Sequence, residues 1–319
     1  MKFKWNVMRS AATAALALAG FASCGGGTQV ESFVPGRVVV FGDEASLINT
    51  DGTKYTVNGV VFDTATPPVG TITCTRNQVW VQQLAYFYGL AFPGRCPGTV
   101  ANPNGEMRAA VGAKAADVSA QVDAFIATNS FNRTDLVTVM VGVNDIIDAL
   151  NQPNPLAAVE QAGDLVGAQI VRITDRGAKV IVSTVPDVGL TPFAINRELT
   201  NPGSVALLTS LSTRFNTRLR LSLQNVRDGG RAVGLVLGDE LVLSMTRLPA
   251  NYGITNITQP ACDVAAVLPN CSILAADLVT AAEATFASDW LWADANRMGA
   301  NAQNRLGILA INRVRNNPF

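Results

Sequence analysis

RVVVFGDEASL, residues 37–47, decides the fold. After Arg37 come four bulky apolar residues, Val38 to Phe41, three of them β-branched. Such a run marks a strand buried on both faces, as in a parallel sheet covered by helices. It breaks at Gly42-Asp43-Glu44, a polar turn at the strand's carboxyl end. Similar runs follow at 135–141, 178–185 and 232–237, and helical stretches lie between the runs at about 79–88, 115–127, 156–176 and 205–226. Strands separated by helices imply βαβ crossovers. The expectation is a three-layer α/β/α sandwich with a mostly parallel sheet of about five strands, the usual sheet size, and Arg37–Phe41 in its interior. A last helix is expected over 306–314 and an irregular insertion over 251–287. With no internal repeat and no second boundary, residues 35–319 read as one domain.

Hydrophobic residues make up 48% of the 319 and charged residues 15%, so the chain can bury a large core and is not a disordered protein. Residues 1–23 read as a lipoprotein-type signal peptide: a positive start, an apolar stretch too short to span a bilayer, then Ala22-Ser23-Cys24. Cys24 is the expected acylated residue, and residues 24–34 the tether. The alternative is plain secretion, with Cys24 incidental. Three of the 24 basic residues (Lys2, Lys4 and Arg9) fall in this leader, which leaves 21 against 24 acidic ones. That balance gives no footprint for nucleic acid. Five cysteines is an odd number for an exported chain, but without Cys24 four remain. Local spacing predicts disulfides Cys74–Cys96 and Cys262–Cys271, which an oxidising periplasm or cell surface permits. With no histidine and no paired CxxC, neither a metal nor another cofactor is expected.

In an open parallel sheet the active site lies outside the carboxyl ends of the strands. Gly42-Asp43-Glu44 ends the first run, and Gly142-Val-Asn-Asp145 ends another. Two more segments belong with them, AAVGAK at 109–114 and WADANR at 292–297. Together the four resemble the motif blocks of the GDSL, or SGNH, hydrolase family, over nearly the whole mature chain. Phe41-Gly42-Asp43-Glu44 is similar to the first block, with Glu44 where the family has its nucleophilic serine. Gly112 stands where the second block supplies an oxyanion-hole N–H, and Asn144 where the third supplies a side-chain donor, following Gly142. Asp294 matches the fifth block's aspartate, and Arg297 stands where histidine belongs. The stretches 177–192 and 251–256 are also similar to ones common in secreted lipase-like members. The resemblance implies a flavodoxin-like sandwich and an ester hydrolase.

The chemistry of the two replacements argues against that activity. A serine hydrolase needs a base that titrates near neutral pH. Arginine stays protonated, and Glu44 is a weak nucleophile whose acyl product would be a mixed anhydride. Ser46 lies two residues past the usual place and has no base. Asp294 would be too acidic to serve as a direct base unless desolvated. Three classes therefore stay open. One is a degenerate hydrolase that holds a small molecule, lipid or glycan in the crevice. The second is a hydrolase of ester or glycosidic bonds running on carboxylates, with Asp43, Glu44 and Asp294 as candidates. The third is a purely structural surface lipoprotein. In each case the expectation is an exported monomer, anchored to the outer membrane through Cys24 or free in the periplasm. Arg297 is expected between Glu44 and Asp294, since its planar fork of donors suits carboxylates on two sides.

Overall fold

Parallel strands fed by helices build the described part of the computed structural model, residues 33–316 except 67, 101 and 102. β1 (Arg37–Gly42) is buried from Val38 onward. β2 (Val60–Phe62) and β3 (Gly70–Ile72) form a small antiparallel ribbon before α1 (Trp80–Phe87). Then come β4 (Gly105–Met107), α2 (Ala115–Thr128), β5 (Asp135–Met140), α3 (Val143–Ala149) and α4 (Pro155–Thr174). β6 (Lys179–Ser183), α5 (Pro192–Thr200), α6 (Ser204–Asp228), β7 (Val233–Val236) and α7 (Gly238–Arg247) follow. The chain closes with β8 (Asn256–Pro260), α8 (Thr280–Thr285), β9 (Trp290–Trp292) and α9 (Ala300–Asn316).

The central sheet runs β4-β1-β5-β6-β7, with every pairing parallel and β1 inside it. Alternation along β1 divides the core between two faces. Val38 and Val40 pack with apolar residues of α1, α7 and α9, while Val39 and Phe41 pack with those of α2, α4 and α6. On α6 the buried residues Leu208, Leu211, Phe215, Leu219 and Leu223 recur every three or four positions, which lays one stripe on the sheet. The molecule is thus an α/β/α sandwich. From β1 the chain goes first to the edge strand β4 and then back across to β5, so the order reverses at β1. At such a reversal the loops leaving neighbouring strands part and open a crevice. Gly42 closes β1 with φ +125°, and a Cβ there would lie 1.9 Å from the Met140 carbonyl oxygen. The Gln121 amide brackets Gly42, accepting from its N–H (2.8 Å) and donating to its carbonyl (2.9 Å).

Three features depart from the sequence-based reading. The strand Gly105-Glu-Met107 carries no apolar run, because an edge strand of three residues buries little. The last helix begins at Ala300 rather than 306. Its first turns point polar Gln303 inward, where the side chain accepts from Trp80 N–H (3.0 Å) and donates to the Ala45 carbonyl (3.1 Å). Within 251–287, expected to be irregular, β8 pairs with β9 in parallel and α8 follows. The disulfides are Cys74–Cys96 and Cys262–Cys271, with Cα separations of 5.7 and 6.0 Å. The signal peptide, Cys24 and the tether up to Ser32 lie outside the described residues. Among the described residues no helix is long and apolar enough to cross a membrane, and no cluster of His, Cys, Asp and Glu could hold a metal ion.

Candidate functional site

Four loops at the carboxyl ends of the strands converge on the Glu44 side chain. After β1, Asp43 caps a short 3₁₀ turn by accepting the Ala45 N–H at 2.9 Å, and this turn sends Glu44 into the crevice. Gly112, in the loop after β4, adopts φ +70° and aims its N–H at Glu44 Oε2, 2.8 Å away. Asn144, in the first turn of α3, donates its Nδ2 to the same oxygen at 3.1 Å and to the Ala113 carbonyl at 3.1 Å. Arg297, just beyond β9, donates Nε (3.1 Å) and Nη2 (2.8 Å) to Glu44 Oε1. The carboxylate therefore receives four N–H bonds, two on each oxygen.

Asp294 completes the cluster. Its Oδ2 accepts Arg297 Nη1 at 2.7 Å, and its Oδ1 accepts the backbone N–H groups of Asn296 (3.0 Å) and Arg297 (2.8 Å). Those backbone bonds tighten the turn that places Arg297 between the two carboxylates. The guanidinium also lies 5.6 Å from the centre of the Tyr55 ring. The Glu44 side chain is 5% exposed, against 27% for Arg297 and 23% for Asp294. Free space beside them, lined by Asp43, Met140, Val143 and Pro186, amounts to about 20 Å³, room for roughly one water.

Burial and then the neighbouring Glu44 push the Asp43 pKa well above the usual carboxylate range. For Arg297, burial works against the charge, but Asp294 and Glu44 outweigh it and hold its pKa above the ordinary value. Burial also lifts Asp145 to about 6, although both its oxygens accept the Ala115 N–H, at 3.1 and 3.0 Å. Gly142 caps α3 with its backbone turned against the Phe215 ring and gives no hydrogen bond to Glu44. Ser46 is fully buried, and its Oγ accepts Trp80 Nε1 at 3.0 Å, so it cannot serve as a substitute nucleophile. Tyr55, Gln121 and Gln303 were not anticipated. They sit outside every motif, and only their contacts in space reveal them.

The family profile described as GDSL-like Lipase/Acylhydrolase matches residues 38–290, well over half of the chain. The chain belongs to that family. In this GDSL chain the Gly112 N–H and the Asn144 amide are both occupied by the chain's own Glu44. The match ends before Asp294, so the place of Asp294 and Arg297 in this GDSL chain rests on their contacts with Glu44. Among solved structures it is similar to an acetylxylan esterase from Geobacillus stearothermophilus, with 11% identity, 89% of this chain and 96% of that one covered, and a TM-score of 0.47. It is also similar to a member of the lipolytic protein G-D-S-L family from Veillonella parvula, with 8% identity, 86% and 96% covered, and a TM-score of 0.46. No curated protein matches this GDSL chain.

Proposed function

We propose that this chain is a non-hydrolytic member of the GDSL family that works by binding, exported and held at the cell envelope through a lipid on Cys24. One observation carries the reading: the Gly112 N–H, the Asn144 amide (the two donors that the resemblance assigns to an oxyanion hole) and the Arg297 fork all bond to the Glu44 carboxylate. Its four N–H bonds use the lone pairs that a carboxylate nucleophile would need. The chain lacks histidine and arginine does not titrate near neutral pH, while the raised carboxyls of Asp43 and Asp145 bond to the backbone N–H groups of Ala45 and Ala115 rather than to Glu44. A lipid or glycan entering the crevice would have to displace Glu44 from both donors, so binding falls to surfaces outside it. The leader, and the even cysteine number left once Cys24 is set aside, support export and anchoring.

The test is a panel of short- and long-chain p-nitrophenyl esters, together with a fluorophosphonate probe, on the purified protein. The expected result is no turnover above buffer and no labelling. Turnover abolished by Glu44→Gln would overturn the reading in favour of carboxylate catalysis. Mass spectrometry of the mature protein should find an acylated Cys24 at the N-terminus; any other N-terminus removes the anchor.

A further inference from the structure

A second hollow, of about 470 Å³, lies between the start of α1 and the exposed side of α9. It shares no lining residue with the Glu44 crevice. Its volume falls within the roughly 300–1,000 Å³ common for small-molecule pockets. Five amide side chains line it (Asn304 among them), and four have their nitrogen tied to a backbone carbonyl. Asn77 donates to Val57 (2.9 Å), Gln78 to Thr75 (3.3 Å), Gln83 to Gln78 (3.1 Å) and Asn301 to Tyr252 (2.9 Å). Those bonds orient the four amides, each keeping a second N–H, and no described residue donates to their oxygens. Across from them Arg305 stacks 5.8 Å from the Tyr252 ring centre. Its guanidinium makes no hydrogen bond or ion pair among the described residues, and its Nε is buried without a partner.

This distribution restricts the ligand. An anion would face the Asp289 carboxylate beside the amide oxygens. A cation would face Arg305. Neutral hydroxyl groups suit both sides, because each donates one hydrogen bond and accepts others. An apolar hollow of about 310 Å³ adjoins the polar one and shares Asn77 and Ser288 with it. On its rim Phe286 is 76% exposed and has φ +67°, a backbone conformation that a bulky residue rarely adopts. Such outliers persist only where the surroundings enforce them, and they gather at ligand sites. Asn77 (φ +47°) is the other non-glycine residue with positive φ among the described residues.

We propose that the paired hollows bind a neutral oligosaccharide, one sugar ring hydrogen-bonded among the amides and Arg305 and the next laid against the Phe286 ring. Stacking of an aromatic face on the C–H face of a pyranose would supply the apolar part of the contact.

The experiment is calorimetric titration of the full purified protein with glucopentaose, xylopentaose and mannopentaose, and with tetragalacturonate and spermine as charged probes. The expected result is saturable binding of at least one neutral pentasaccharide. Phe286→Ala and Arg305→Ala, each with an unchanged melting temperature, should weaken it at least tenfold. Saturable binding of none of the three, preference for either charged probe, or affinity unmoved by both substitutions would overturn the proposal. The readout is binding, so ester hydrolysis by the chain would leave this result standing.

Discussion

Removing Glu44 would leave the Gly112 N–H, the Asn144 amide and the Arg297 fork without acceptors at a site with little room for water. Removing Arg297 would leave a buried carboxylate with only two neutral donors. Breaking one side of a largely buried pair costs several kcal/mol, less where a partner stays partly exposed as Arg297 does. Arg297→Gln should therefore destabilise the fold by roughly 2–4 kcal/mol in urea unfolding; a loss below about 0.5 kcal/mol, the usual size for a surface change, would mark the pair as superficial. Asp145 gives a pH test. Its folded pKa, about 6, is raised above the unfolded carboxylate value by burial. The fold thus favours the protonated form, and this contribution, complete below about pH 4, is lost as pH rises through about 6. In Asp145→Asn the decline in stability between pH 4 and 7 should shrink by up to roughly 3 kcal/mol. An unchanged slope would assign the decline to other groups. The sequence shows Glu44, Asp294 and Arg297 as candidates through their spacing within blocks. It does not show that Glu44 itself takes up the Gly112 and Asn144 donors, because that depends on side-chain reach across four loops.

Among the elements, those with a continuous apolar run or a long amphipathic stripe are legible: β1, β5, β6, β7, α2, α4 and α6 come within a few residues of the runs that predict them. The short edge strand β4 and the polar first turns of α9 are not, because tertiary contacts such as Gln303 on Trp80 and Ala45 fix them. The Cys74–Cys96 bridge holds the approach to α1, and its neighbourhood contains fully buried Lys54. That Nζ donates to the carbonyls of Cys74 (2.9 Å) and Arg76 (2.7 Å), while burial lowers its pKa to about 8. The bridge spans 22 residues. Loop-closure entropy for that span predicts a loss of about 3 kcal/mol in Cys74→Ser/Cys96→Ser, measured by urea unfolding. A loss below about 1 kcal/mol would mean that the native contacts around Lys54 hold this segment without the crosslink.

At the scale of the whole molecule, the reversal of strand order at β1 gathers Glu44, Gly112 and Asn144, and the turn after β9, outside the central sheet, brings Arg297 to them. Replacing Glu44 by serine and Arg297 by histidine together would empty the oxyanion hole, enlarge the crevice and leave Asp294 beside the new imidazole. Glu44→Ser/Arg297→His should hydrolyse p-nitrophenyl acetate at least about 100-fold faster than either single variant, the lower end of general-base effects. Equal rates in all three would show that the scaffold has drifted from a catalytic geometry. Glu44 and Arg297 form a locked structural pair, and a double-mutant cycle on unfolding free energy reads their coupling. With Glu44→Gln, Arg297→Gln and the double variant, the account predicts a coupling of about 1 kcal/mol or more, as for residues joined in one buried network. Coupling near zero would contradict it and return Glu44 to the status of a free carboxylate.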